Sequence, residues 1–127
     1  MPSQKTRLGK EGEELAALFL RKNGYKILKR NFKNKLGEID IIARAHDTIC
    51  FVEVKMRTSD TFGDPLLAIS PSKQLKLSRV ALTYLKANHL MQAPARFDIV
   101  SILQDETGRD QVKVLKNAFD LSSPYAY

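Results

Sequence analysis

The chain has 127 residues, 43% hydrophobic and 28% charged, an ordinary composition for a globular protein long enough to bury a core. Twenty-one Lys and Arg against 14 Asp and Glu give a net charge of +7. No apolar run approaches the roughly 20 residues that span a bilayer, MPSQKTRLGKEGEE has no hydrophobic signal segment, and the lone Cys50 excludes an intrachain disulfide. The expectation is a single domain over residues 1–127, cytoplasmic and without membrane attachment.

Residues 8–24, LGKEGEELAALFLRKNG, predict a helix with Leu8, Leu15, Leu18 and Phe19 on its apolar face and Gly24 as its stop. Thr6 is placed to cap it, and Glu11, Glu13 and Glu14 suit the positive end of its dipole. YKILKRNF, residues 25–32, alternates as a strand, and residues 34–37 read as a turn. GEIDIIARA (Gly37–Ala45) is a second strand. HDT turns the chain into ICFVEVKMR, residues 49–57, the most β-branched stretch and so the central strand.

Residues 58–72 are punctuated by Gly63, Pro65 and Pro71, a long connection of the kind that often carries function. Residues 72–90 then predict an amphipathic helix with Leu77, Val80, Ala81, Tyr84 and Leu85 on one face. RFDIVSIL (96–103) and QVKVLKNAF (111–119) complete the strands. A helix between the third and fourth strands implies a right-handed crossover and a parallel pair. The fold class is therefore α/β, a mixed central sheet flanked by helices.

The charge is uneven. Residues 1–57 carry a net +6 and residues 58–127 a net +1, and RKNGYKILKRNFKNK (21–35) has seven basic residues and no acid. Such a block favours a polyanion, because neutralised phosphates release condensed counterions. A solvated cationic face is the alternative.

Three polar residues interrupt the apolar strands: Asp40 in the second, Glu53 and Lys55 in the third. Alternation sends Glu53 and Lys55 to one face, and a short turn at 46–48 brings Asp40 opposite them. Two desolvated carboxylates repel, and Lys55 can offset only one of them. A divalent cation such as Mg²⁺ or Mn²⁺ resolves the conflict, since carboxylate oxygens are hard ligands, and Glu13 is a candidate third acid. The plainer alternative is that Asp40 caps a bulge while Glu53 and Lys55 form a solvated pair. Asp98 interrupts its strand in a similar way, and either touches the site or bonds Arg96. The sequence shows no zinc signature, nucleotide-binding glycine loop or nucleophile elbow.

Asp40 followed thirteen residues later by Glu53-Val54-Lys55 resembles the PD-(D/E)XK nuclease superfamily, whose restriction-endonuclease-like fold has an αβββαβ core. Ile39 stands where the nominal motif has proline. More specific is a similarity, over nearly the full length, to the YraN-like proteins, a bacterial family related to archaeal Holliday junction resolvases. It is carried by GKEGEELA (9–16), GYKILKRN (24–31), GEIDIIA (37–43), FVEVKMR (51–57), FG (62–63) and RFD (96–98).

That resemblance implies that Asp40, Glu53 and the Val54 carbonyl hold Mg²⁺ or Mn²⁺, with Lys55 the catalytic lysine. Glu13 would be the helix-borne acid and Gln74 a polar residue near the site, with Lys73 beside it. Arg30, Lys33, Lys35, Arg57 and Lys73 would hold a nucleic-acid backbone. The implied activity is cleavage of structured or branched DNA, by a homodimer if this chain follows the resolvases. A non-catalytic nucleic-acid-binding module and a carboxylate enzyme for a small acidic substrate are the competing expectations.

Overall fold

In the computed structural model the chain runs α1 (Gln4–Lys22), β1 (Lys26–Asn34), β2 (Gly37–Ala45), β3 (Thr48–Arg57), α2 (Pro71–Ala87), β4 (Ala95–Gln104) and β5 (Asp110–Phe119). The structure describes residues 4–57, 69–104 and 107–120, without the side chains of residues 4–9 and 57. The five strands form one sheet in the order β1-β2-β3-β4-β5. Only β3 and β4 run parallel, as the intervening helix requires, and the other neighbours are antiparallel. The first six elements give the αβββαβ order expected from the sequence, and β5 extends the sheet by one edge strand.

The helices cover opposite faces. Leu77, Val80, Ala81, Tyr84 and Leu85 of α2 pack on Ile39, Ile42, Ile49, Phe51, Phe97 and Ile99. Ala16, Ala17 and Leu20 of α1 pack on Ile41, Ala43, Cys50, Val52, Val100 and Ile102. The α2 face is the one read from the sequence; the α1 face differs. Leu18, expected inside, is 48% exposed, and small residues take the buried positions. Leu8 lies outside the described side chains. The cause is a close approach: a Cβ on Gly12 would lie 2.8 Å from Met56 Sδ of β3. Thr6 falls inside α1 and does not precede it.

The connections carry their own chemistry. In the β1–β2 turn Asn34 Oδ1 accepts from the Leu36 amide at 2.8 Å, and Asn34 Nδ2 donates to Thr83 Oγ1 of α2 at 3.0 Å. Gly37 follows with φ +151°, a left-handed value that a side chain would strain, and a Cβ there would also crowd Val80. Helix α2 begins one residue before the expected start. Ser70 is its N-cap, accepting from the Lys73 amide at 3.1 Å, and Pro71 opens the first turn.

Asp98 is resolved by burial. Its side chain is fully enclosed and accepts from Arg96 Nε at 3.0 Å, Tyr25 Oη at 3.1 Å and the Asn117 amide at 2.9 Å. The β4–β5 register shifts at this residue, and Asn117 takes φ 55° to present its amide. Asp98 is therefore a structural anchor for the edge strand, the Arg96 reading and not the site reading. Burial, then the Asp98 charge, pushes the Tyr25 hydroxyl up to about 12, so it stays a donor.

Candidate metal centre

The site grows from a fork in the sheet. β2 and β3 pair from Ala45–Thr48 to Ile41–Val52 and then part, while β2 stays on β1 and β3 stays on β4. Residues 40 and 53 are the first beyond the split. Past it, the Val54 amide has lost its ladder partner and would be orphaned inside the sheet. Asp40 Oδ2 replaces that partner, accepting from Val54 N at 2.8 Å. The N–H and C=O of one strand residue point to the same flank, so the Val54 carbonyl is aimed into the fork as well.

The fork coincides with a change of phase in two strands. Ile41 packs toward α1 but Ile39 packs toward α2, although strict alternation would put both on one face. On β1 the partners of these residues switch together: Arg30 pairs with Ile41 and ion-pairs to Glu14 of α1, while Phe32 pairs with Ile39 and packs against Tyr84 of α2. Between them Asn31 takes φ 53°, a left-handed conformation asparagine tolerates better than most residues. With its nitrogen toward α1, the Asn31 amide donates to both oxygens of Glu13 at 3.1 and 3.2 Å.

Around Asp40 the carboxylates crowd. Oxygens of Glu13, Glu38 and Asp40 all lie within 4.8 Å of one another. The Asp40 carboxyl is pushed up to about 7, by burial first and then by the Glu53 charge. The Val54 amide pulls it down, and Glu13 and Glu38 add to the rise. Three hard oxygen donors with uncompensated repulsion match what a small divalent cation takes, so this donor set fits Mg²⁺ or Mn²⁺.

Glu53 and Lys55 sit on the α2 side, as alternation placed them. Glu53 Oε1 accepts from Lys73 Nζ at 2.9 Å. Asp40 enters the fork beside Glu13 of α1. Asp40 thus has Glu13 beside it from α1 and feels the charge of Glu53 on β3. The strands part at this point, and the Glu53 charge still reaches the Asp40 carboxyl.

Of the expected metal set, Asp40 lies with Glu13 and Glu38, while Glu53 is ion-paired to Lys73. Glu13 beside Asp40 was expected from the sequence, and Glu38 was not. The Glu38-Ile39-Asp40 spacing was the available signal, since residues two apart on a strand share a face. Asn31 had no signal of its own, because its role depends on a backbone φ. Gln74 donates to the Ile69 carbonyl at 3.1 Å and so braces the start of α2. Arg30, expected to hold a backbone, is pinned to Glu14 at 2.7 Å. Lys33 and Lys35 are exposed at the end of β1 and in the following turn. The Arg57 side chain and Phe62-Gly63 lie outside the described residues.

The sheet, the crossover and the acid-lined fork define an α/β protein with a candidate cation site at a strand split. A family model matches residues 12–102, and the chain belongs to the uncharacterised protein family UPF0102, the YraN-like family whose motifs the sequence carries. It is 47% identical over 116 residues to the UPF0102 protein of Pelobacter propionicus, covering 90% of this chain and 83% of that one. It is 46% identical over 120 residues to the UPF0102 protein of Syntrophus aciditrophicus, covering 94% of each. Among solved structures it is similar to Pyrococcus furiosus SfsA in complex with Ca²⁺. That likeness has a TM-score of 0.41 and 12% identity, over 86% of this chain and 62% of that one. Among the described residues no helix is long and apolar enough to cross a membrane.

Proposed function

We propose that the protein is a divalent-metal-dependent endonuclease that hydrolyses phosphodiester bonds in structured or branched DNA. The observation that carries the reading is the fork, where oxygens of Asp40, Glu13 and Glu38 converge and the Glu53 charge reaches Asp40 from β3. Three acids, Glu13, Glu38 and Glu53, around the buried Asp40 carboxyl are poorly explained by folding alone, because each desolvated charge costs several kcal/mol unless compensated. Mg²⁺ or Mn²⁺, when bound, would polarise a phosphoryl oxygen, lower the pKa of a water and shield developing charge.

The chain's own residues do the rest. Asp40, fixed by the Val54 amide, and Glu13, tethered by Asn31, would hold the cation. Lys55 would lend its ammonium to the phosphoryl oxygens as charge builds on them. Exposed Lys33 and Lys35 would carry phosphates flanking the cut. A non-catalytic DNA-binding module on the same fold is the competing reading, favoured by the ion pair that occupies Glu53.

The deciding experiment incubates wild type and Asp40→Asn with four-way junction, flap and linear duplex DNA in Mg²⁺ or Mn²⁺. Cleavage by wild type, lost in Asp40→Asn while DNA binding persists, is the expected result. Binding without cleavage of any substrate would leave the binding module as the correct reading.

A further inference from the structure

Lys73 is electrostatically misplaced on its own helix. The Ser70 cap accepts from its amide, which puts Lys73 in the first turn of α2, where the helix dipole is positive and cations are disfavoured. The first turn of α2 has no acid to offset it. What holds the ammonium there is Glu53, 2.9 Å away on β3. Glu53 is the better buried partner, with 14% of its side chain exposed against 43% for Lys73. Burial alone would lower the Lys73 pKa, but the Glu53 hydrogen bond and the Glu53 and Asp40 charges outweigh it and raise it. The ammonium thus feels both carboxylates at the fork.

We propose that Lys73 is a built-in substitute cation: it neutralises Glu53 while the site is empty, and a divalent metal must take Glu53 from it to complete its ligand set. The proposal rests on the metal-site reading above and extends it to regulation. Released from Glu53, Lys73 stands at the mouth of the fork on a helix N-terminus that already favours anions. There it can take a DNA phosphate. Metal and phosphate then enter as linked events, and an idle site without DNA is kept weak for metal.

The test is Mn²⁺ binding, read by the EPR signal of free ion, for wild type, Lys73→Gln, Lys73→Arg and Glu53→Gln. Lys73→Gln is expected to bind Mn²⁺ about three- to tenfold tighter than wild type, as loss of a partly exposed charge-assisted pair implies. Lys73→Arg keeps the competing charge and stays near wild type. In chelator Lys73→Gln should melt below wild type, with Mn²⁺ restoring the difference. A duplex-binding arm adds that the Lys73→Gln defect in DNA affinity appears with Mn²⁺ present and vanishes in chelator.

The outcomes separate the two readings. Equal or weaker Mn²⁺ binding by Lys73→Gln, with wild type binding normally, overturns the substitute cation and leaves the metal site standing. Binding by Lys73→Gln alone supports the proposal in its strongest form. No binding by either protein overturns the metal site and the substitution together.

Discussion

The Val54 main-chain amide donates to Asp40 Oδ2 at 2.8 Å across the gap where β2 and β3 part. One bond therefore satisfies a backbone donor the fork would orphan and fixes the carboxylate on which the site is centred. It also keeps Asp40 in place against Glu53, Glu13 and Glu38, whose charges all oppose its ionisation.

That opposition fixes a pH dependence. The Asp40 carboxyl is raised from its ordinary 3.8 to about 7. Between those values the folded chain holds a proton that the unfolded chain has released, so metal-free stability falls as pH rises through the window. Asp40→Asn removes that slope and still accepts from Val54. In chelator at pH 8 it should be more stable than wild type by about 1–3 kcal/mol. Urea denaturation from pH 4.5 to 8 checks this. A variant less stable than wild type across the range would make Asp40 a structural residue.

Asn31 offers a separation of backbone from side chain. Its φ of 53° costs most residues energy, and its amide holds Glu13. Asn31→Gly keeps the conformation and loses the tether, so stability should hold within about 1 kcal/mol while Mn²⁺ affinity falls roughly tenfold, the usual scale for a residue that orients a ligand. Asn31→Val should instead unfold more easily, because a β-branched residue resists that φ. Calorimetric melting and Mn²⁺ titration of both variants read the two effects apart. Unchanged Mn²⁺ affinity in Asn31→Gly would remove Asn31 from the site.

How much of this was written in the sequence follows from what each signal depends on. The hairpin of β2 and β3 was legible because Ile, Val and Phe are dense there and the turn at His46 is short. The α2 face was legible because large residues recur at helical spacing. On α1 the large residues misled: the helix approaches β3 so closely that Gly12, Ala16 and Ala17 are buried and Leu18 is left outside. A count of large apolar side chains cannot see a contact made by small ones. Asp40, Glu53 and Lys55 stood out as polar residues in apolar strands. The fork itself, the paired phase change at Asn31 and Asp40, and the hold of Lys73 on Glu53 depend on where a ladder ends, which alternation alone does not reveal.

Asp98 supplies a control distant in role. Its carboxylate is buried with Arg96, Tyr25 and the Asn117 amide as partners, so Asp98→Ala leaves the half-buried Arg96 guanidinium, the Tyr25 hydroxyl and the Asn117 amide without their acceptor and should cost about 2–4 kcal/mol. Tyr25→Phe removes one hydrogen bond and should cost about 1 kcal/mol. Mn²⁺ affinity of the folded Tyr25→Phe protein should equal that of wild type. Thermal melts with a Mn²⁺ titration decide the matter, and a metal defect in Tyr25→Phe would tie the network to the fork.

The basic strand makes the last prediction, about salt. Lys33 and Lys35 are exposed, whereas Arg30 already spends its guanidinium on Glu14 at 2.7 Å. On duplex DNA each phosphate contact adds about 0.9 to the slope of log affinity against log salt. Lys33→Ala with Lys35→Ala should therefore flatten the slope by about 2 and weaken binding evenly across sequences. Arg30→Ala should change the slope by less than half a contact, because losing it frees Glu14 as well as removing a cation. Anisotropy titrations of a labelled junction between about 50 and 200 mM salt measure all three slopes. If Arg30→Ala flattens the slope as much as a lysine does, Arg30 leaves Glu14 for phosphate when DNA binds, and the β1 surface rearranges on contact.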